Sequence, residues 1–499
     1  MRRVGVRELS GWSGALAVAL ITVAQVASSA RSELLFRDAD SLIVAMFTRS
    51  VLSGQPLDWA MSSVLFLPES TAFAVLDTVL PFEVNGLLAV SAVLNLLALY
   101  GAFRLAAGRR REGSAPVAWS LGGLALFSVL AMTDVSGSRN ALDLASLLLT
   151  TTYYAATVLA VVLSVGCVRR VLDRDRGGVG LLVALGVTAA VSTLSNPLYA
   201  AWATVPIALL LAVMIIRSPQ RIRTAMVLVV LLTGTAIGFL GRIPLQAWIA
   251  NTGAGYVQPG LWADSLDYYA ALLTDRLSTS IGFVGCLIVV TLIVLAVIRM
   301  IRAADPGTTF VSGIAWVMPA VVVIGAIALG THAARYLQPL AFAPVLALVA
   351  MPRAWPMPVR VRSLVAAVVV MLLAIGGVVS VPRLASVSAG SDPDLTCVTE
   401  WVNASGRTGA GQFWTVRLPK MHLDDPARLV QVDHELNGYA WLVNRTDFDV
   451  DEVSFLVEDA QSVAWSLPAP AAPEEVIDCG RYRILDLGDR TLSLGPPRS

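Results

Sequence analysis

Two carboxylates one residue apart, Asp38 and Asp40, follow the first long apolar segment of the chain and precede the run Ser41-Leu42-Ile43-Val44-Ala45-Met46. A carboxylate beside a membrane helix is costly to place in lipid, so its presence there points to a site. Paired carboxylates are groups that take and give protons. The residues also have a plainer use. The stripe Leu42, Ile43, Met46, Phe47, Ser50 and Val51 predicts an amphipathic helix lying in the outer membrane interface, with Asp40 as its N-cap and Asp38 as a solvated neighbour. Ser53-Gly54-Gln55-Pro56 is the expected stop. A cap and a catalytic acid are not exclusive.

The elements that must hold this stretch are set by composition. The chain is 56% hydrophobic and only 14% charged, with a mean hydropathy of +0.72. That is too apolar for a soluble domain, and the apolar residues come in blocks of roughly 20, the length a spanning helix needs. A formal net charge of +1, with basic residues confined to short clusters, argues against nucleic acid as a partner. The first block, 12–30, is too long for a signal-peptide core and is read as a retained anchor. Further blocks lie near 84–107, 116–132, 145–168, 178–194, 198–216, 224–240, 281–301, 310–330, 337–351 and 363–381. The expectation is an all-α polytopic membrane protein with about eleven transmembrane helices.

Loop charge orients the helices. Arg109-Arg110-Arg111, Arg169-Arg170, Arg217 with Arg221 and Arg223, Arg299 with Arg302, and Arg353 with Arg360 and Arg362 share a side with the basic start Met1-Arg2-Arg3. By the positive-inside rule that side is cytoplasmic. The other side receives the Asp38/Asp40 loop, the Ser195-Asn196-Pro197 turn, the 242–280 loop, the 331–339 turn and the C-terminal tail. The 242–280 loop mixes Trp248, Tyr256, Trp262, Tyr268 and Tyr269 with Asp264, Asp267 and Arg276. Such a mixture could line a sugar or lipid site, but an ordinary aromatic membrane belt is the reading it favours. Asp134, Arg139 and Asp143 read as a solvated turn. No zinc-ligand spacing, phosphate loop or Ser-His-Asp arrangement is legible, so no metal ligand and no cofactor is assigned.

From about Ser391 the chain turns polar and acidic, with strand patterns at 428–432, 439–443 and 453–457. The domains expected are therefore a membrane domain, 1–385, carrying a first outer loop, 31–83, and a small extracytoplasmic α/β domain, 386–499. Cys397 and Cys479 sit near the two ends of the latter, in a compartment that permits a disulfide, although two buried thiols would also fit. Cys167 and Cys286 lie in apolar blocks and read as packing residues.

An acid just after the first span, an amphipathic helix and a Ser-Gly stop resemble the first outer loop of the GT-C glycosyltransferases, particularly the aminoarabinose transferases and protein O-mannosyltransferases. Those enzymes usually carry an Asp-Glu pair, whereas here the pair is split as Asp38-Ala39-Asp40. Arg335-Tyr336-Leu337-Gln338-Pro339 is similar to an Arg-Tyr-x-x-Pro element opening a late span in that superfamily, and Ser195-Asn196-Pro197-Leu198-Tyr199 is a weaker likeness.

The resemblance implies a GT-C-like membrane domain and a transferase that moves a sugar from a polyprenyl-phosphate donor to a cell-envelope glycan or lipid acceptor in the plasma membrane. It implies Asp40, or Asp38, as the base. It implies Arg335 as the phosphate-binding cation with His332 and Tyr336 beside it, since a planar guanidinium matches phosphate oxygens two at a time. Asn196 and Arg276 join them as substrate-binding candidates. Arg335 has a plainer role as an anchor snorkelling to the headgroups. Two other classes stay open: a lipid-sugar flippase or transporter, which would need ionisable groups inside the spans, and a non-enzymatic scaffold displaying the tail.

Overall fold

The computed structural model describes residues 2–174, 177–217, 221–354, 356, 358–467 and 472–498. Met1 and the side chains of Arg2, Arg3 and Arg217, which entered the charge argument, lie outside the described residues. The chain is 66% helical, so the apolar blocks are helices. Seven helices among the described residues are long and apolar enough to cross a membrane: Gly5–Ala27, Val84–Ala106, Ala155–Leu172, Arg221–Gly241, Ser280–Ile301, Pro306–Ala328 and Val359–Ser388. Their exposed faces are apolar, as with Leu287, Val290 and Val294 on one helix and Val370, Met371 and Leu372 on another. Water does not tolerate apolar surface on that scale, whereas lipid does. The chain is accordingly a multi-pass membrane protein.

The other four apolar blocks among the eleven expected are shorter helices. Pro116–Met132, Val179–Ser195, Ala200–Ile216 and Ala334–Ala350 are apolar helical segments of 10–17 residues. The last is also segmented, into Ala334–Leu337, Pro339–Phe342 and Leu346–Ala350. Pro339 and Pro344 lack the N–H that a continuous helix requires. The helix expected from Ala145 begins only at Ala155, because Tyr154 takes a left-handed backbone with φ +67°.

Two compact units divide the chain. The first comprises Met1–Ser32, Leu88–Ile243 and Ala254–Ser388. Its closest helix pair is Val179–Ser195 against Arg221–Gly241, where Gly234 and Gly238 face the backbone of Gly186 and Ala190. A Cβ at either glycine would collide with a carbonyl oxygen, so this small-residue spacing is what lets the two helices touch.

The second unit comprises Glu33–Leu87, Pro244–Gly253 and Ala389–Ser499. Its centre is a mixed sheet of seven strands: β1 (Gly409–Gln412), β2 (Leu429–Val432), β3 (Asn437–Tyr439), β4 (Phe455–Glu458), β5 (Glu475–Cys479), β6 (Tyr482–Asp486) and β7 (Gly495–Arg498), in the order β7-β3-β2-β1-β4-β6-β5. β1 runs parallel to β2 and β4, and the helix Phe413–His422 makes the crossover from β1 to β2. Every residue of β1 and β2 is buried, which is why neither strand alternates in polarity. Gly409 and Gly411 belong in β1 because a Cβ there would strike the Phe455 ring or the Val457 carbonyl. The run expected at 439–443 is broken. β3 ends at Tyr439, Leu442 turns left-handed at φ +52°, and Val443–Asn444 pairs instead with Trp59–Ala60 of the first loop. A disulfide joins Cys397, on the helix Pro393–Ser405, to Cys479 at the end of β5, with Cα atoms 5.6 Å apart.

Candidate functional site

In the second unit the acidic stretch forms a turn between the short helix Ser32–Phe36 and the helix Ile43–Leu52. Asp38, 8% exposed, does the local capping: its Oδ2 accepts from the Ser41 N–H at 3.2 Å, while the Ser41 hydroxyl donates to the Leu34 carbonyl at 2.6 Å. Asp40 is not the N-cap. That position is Leu42, which makes no side-chain cap, and Asp40 contributes only its carbonyl, to the Ile43 N–H at 3.3 Å. Among the described residues the half-buried Asp40 carboxylate accepts no hydrogen bond and enters no ion pair. The expected interfacial helix is also different in kind: Ile43 through Thr48 and Ser50 are buried in protein, leaving Val51 and Leu52 exposed. Its apolar stripe packs on the helix Leu67–Val79.

Behind the turn lies Arg417, on the crossover helix and fully buried. Its Nε donates to the Ala39 carbonyl at 2.9 Å, and its Nη1 to the Leu442 carbonyl and to Gln431 Oε1. Burial pulls this guanidinium down to about 10, opposed in order by the charges of Asp40, Asp38 and Asp447. Beside it, Lys420 Nζ sits 2.8 Å from Asp447 Oδ2 and donates to the carbonyls of Pro426 and Leu429. Arg49, Trp59, Lys420, Asn444 and Asp447 help line a cleft of about 340 Å³ in this unit. That volume is at the small end of those that take small molecules.

In the first unit Arg335 lies on the turn after the helix Pro306–Ala328. Its Nε donates to the Tyr154 hydroxyl at 3.1 Å and its guanidinium stands 5.8 Å from the Tyr336 ring centre. Trp202 donates to the Tyr336 carbonyl at 3.1 Å and meets the Tyr154 ring edge-on, so the left-handed backbone at Tyr154 serves an aromatic surround for this arginine. His332 is exposed, 5.5 Å from the Tyr268 ring. A guanidinium set among aromatic faces holds a phosphate by charge and hydrogen bonds while remaining charged at an apolar boundary.

Asn196 and Arg276 have other engagements. Asn196, 2% exposed, donates to Thr157 Oγ1 at 2.9 Å and accepts from the Leu198 N–H, which fixes the turn between two apolar helices. Arg276 pairs with Asp134 at 3.0 Å and with Asp143, and Asp143 pairs in turn with Arg31. Asp134, Asp143 and Arg31 are each under 5% exposed, so the two aspartates of the turn expected to be solvated belong to a buried ionic quartet, while Arg139 of that turn is half-buried. Apolar surroundings raise the Asp134 carboxyl, and the two arginines oppose that. Among the described residues no group of three or more His, Cys, Asp and Glu side chains is disposed to hold a metal.

Asp38 and Asp40 thus belong to the second unit, while Arg335, Tyr336, His332, Asn196 and Arg276 belong to the first. Sequence reading passed over Arg417, whose segment Phe413-Trp414-Thr415-Val416-Arg417 carries no signal beyond an arginine among apolar neighbours. No family model matches the chain, and a search of curated proteins finds no match either.

Proposed function

We propose that the protein is a GT-C-like glycosyltransferase of the plasma membrane. Its N-terminus is cytoplasmic, its tail extracytoplasmic, and it moves a sugar from a polyprenyl-phosphate donor to a cell-envelope acceptor. The observation that carries this reading is Asp40. Its neighbour Asp38 takes the capping work, which leaves a half-buried carboxylate with lone pairs available to an acceptor hydroxyl. In the reaction the hydroxyl proton passes to the carboxylate, the acceptor oxygen bonds to the anomeric carbon, and the bond from that carbon to the phosphate oxygen breaks, its electron pair leaving with the polyprenyl phosphate. Arg335, in its aromatic surround, is the cation assigned to the phosphate, with Tyr336 and His332 beside it.

The test compares Asp40→Asn, Asp38→Asn and Arg335→Lys with a deletion strain, reading accumulation of lipid-linked sugar and loss of a surface glycan. Asn keeps shape and removes proton acceptance, so Asp40→Asn should lower transfer by roughly 10²–10⁴-fold at normal expression. Lys offers a point charge in place of a fork, so Arg335→Lys should also fail. If all three behave as wild type while the deletion does not, transfer is excluded and a transport or scaffold role replaces it. The orientation has its own check. A cysteine at Ser391 should react with an impermeant maleimide in intact cells, and one at Ser114 should not.

A further inference from the structure

The cleft of the second unit takes one wall from a single helix face. Met46, Arg49, Ser50 and Ser53 recur at spacings of three and four along Ile43–Leu52 and its C-cap, so their side chains share one side. The buried polar groups of the lining hold one another in place. The Ser50 hydroxyl, 7% exposed, accepts from Trp59 Nε1 at 3.2 Å and from Asn444 Nδ2 at 3.4 Å, and Asn444 also donates to the Pro56 carbonyl at 2.9 Å. Among the described residues that hydroxyl donates to nothing. Lys420 holds one oxygen of Asp447 at 2.8 Å, and among the described residues the other oxygen accepts no hydrogen bond. Arg49 reaches Asp77 with Nη2 at 3.4 Å, which leaves its Nε and Nη1 without a partner among the described residues. Donors and an acceptor therefore line the same cleft with capacity to spare, and Met46, Met421 and Trp59 add apolar lining.

A sugar ring has the matching inventory. Each of its hydroxyls donates once and accepts twice, and its C–H groups cover apolar surface. Charged ligands fit less well: a compact anion would meet Asp424, Asp425 and Asp447, and a bare cation would meet Arg49 and Lys420. A volume of about 340 Å³ suits a small molecule rather than a long chain. We infer that this cleft is a carbohydrate site for a neutral sugar unit of the cell-envelope acceptor, with Arg49 and Ser50 donating to its oxygens and Asp447 accepting from its hydroxyls. That the sugar belongs to an acceptor rests on the reading of the protein as a transferase; that the cleft binds sugar does not. It gives the tail a part in choosing the acceptor, since Lys420, Asn444 and Asp447 all come from it.

The experiment is saturation-transfer NMR on the full-length protein in a detergent without a sugar headgroup. The probes are the methyl glycosides of glucose, galactose, mannose and arabinose, with inorganic phosphate as competitor. At least one glycoside should bind, and phosphate should not displace it. Ser53→Trp places a large ring on the helix face at an exposed position and should abolish the signal. Arg49→Ala removes a charged donor and should weaken binding about tenfold or more. Arg483→Ala, outside the cleft, should bind as wild type does. An intact Cys397–Cys479 disulfide reports folding in each variant, and Arg49→Ala decides alone should Ser53→Trp fail to accumulate. Absence of binding by all four glycosides overturns the inference. So does binding that phosphate displaces, or binding that survives unchanged in folded Ser53→Trp and Arg49→Ala. If a glycoside binds as expected but Asp40→Asn transfers sugar normally, the proposed function fails and the carbohydrate site stands. If Asp40→Asn is inactive while no glycoside binds, the function stands and the carbohydrate site falls.

Discussion

Lys420 Nζ lies 2.8 Å from Asp447 Oδ2, and this lysine, the only one in the chain, is 2% exposed. Lysine is rarely buried unless it is paired, and here two backbone carbonyls complete its donors. Lys420→Met strands Asp447, which should cost about 3–5 kcal/mol, whereas Lys420→Met with Asp447→Leu should recover much of that loss. Denaturation followed by tryptophan fluorescence in detergent measures both. An amine-reactive ester should spare Lys420 in the native protein and label it after unfolding; equal labelling in the two states would contradict its burial.

The quartet of Arg31, Asp134, Asp143 and Arg276 ties the turn after the first helix to the helix Trp262–Leu277. Arg276→Met leaves two buried carboxylates to one arginine and should destabilise the first unit by about 3–5 kcal/mol. A loss under about 0.5 kcal/mol, the level of an ordinary surface change, would show that the quartet carries no net stabilisation.

Replacing Cys397 and Cys479 together with serine removes a crosslink that spans 82 residues of chain. The chain-entropy model puts that at roughly 4 kcal/mol for the second unit. The membrane helices should still insert, since bilayer and sheet are separate folding environments. Mass mapping that finds both thiols free in protein purified without reductant would refute the pairing.

Acid should weaken the second unit in two stages. Burial, with help from Arg49, lowers His422 below its ordinary 6.5, so the unfolded chain binds that proton more readily and stability falls as pH drops from about 6.5 through the folded value. Asp486, hydrogen-bonded to Arg407 at 2.6 Å, is held below the usual 3.8, and its contribution, present above that value, is lost as pH falls through the lowered one. His422→Gln should flatten the upper stage and Asp486→Asn the lower, as read by midpoints of unfolding across pH.

The apolar helices, the disulfide and the sheet region of the tail were legible in the sequence because each rests on a local signal: continuous hydropathy, a pair of cysteines, a run of β-formers. Burial on both faces erased that signal elsewhere. β1 is Gly-Ala-Gly-Gln, with no strand pattern, because Phe455 and Val457 occupy the space its side chains would need. Trp59–Ala60 could not be matched to Val443–Asn444, since a pairing across most of the chain leaves no periodicity at either end. Asp38 and Asp40 drew notice as acids beside a span, yet their division of labour depends on where Ser41 N–H and the Arg417 guanidinium point. Asp134 and Asp143 read as solvated because a charge reveals nothing of a partner that lies far along the chain, as Arg276 does.

The pairing of Trp59–Ala60 with Val443–Asn444 also sets a timetable for biogenesis. The loop Glu33–Leu87 leaves the ribosome long before the strand that completes it. At about 5–20 residues per second, the loop waits on the order of tens of seconds with Ala60, which packs on Ala440 and Val443, uncovered. Nascent chains halted before residue 443 should therefore be the most protease-sensitive and the most dependent on a holding chaperone. A truncated message that ends there would yield an inserted membrane bundle with an unfinished domain attached.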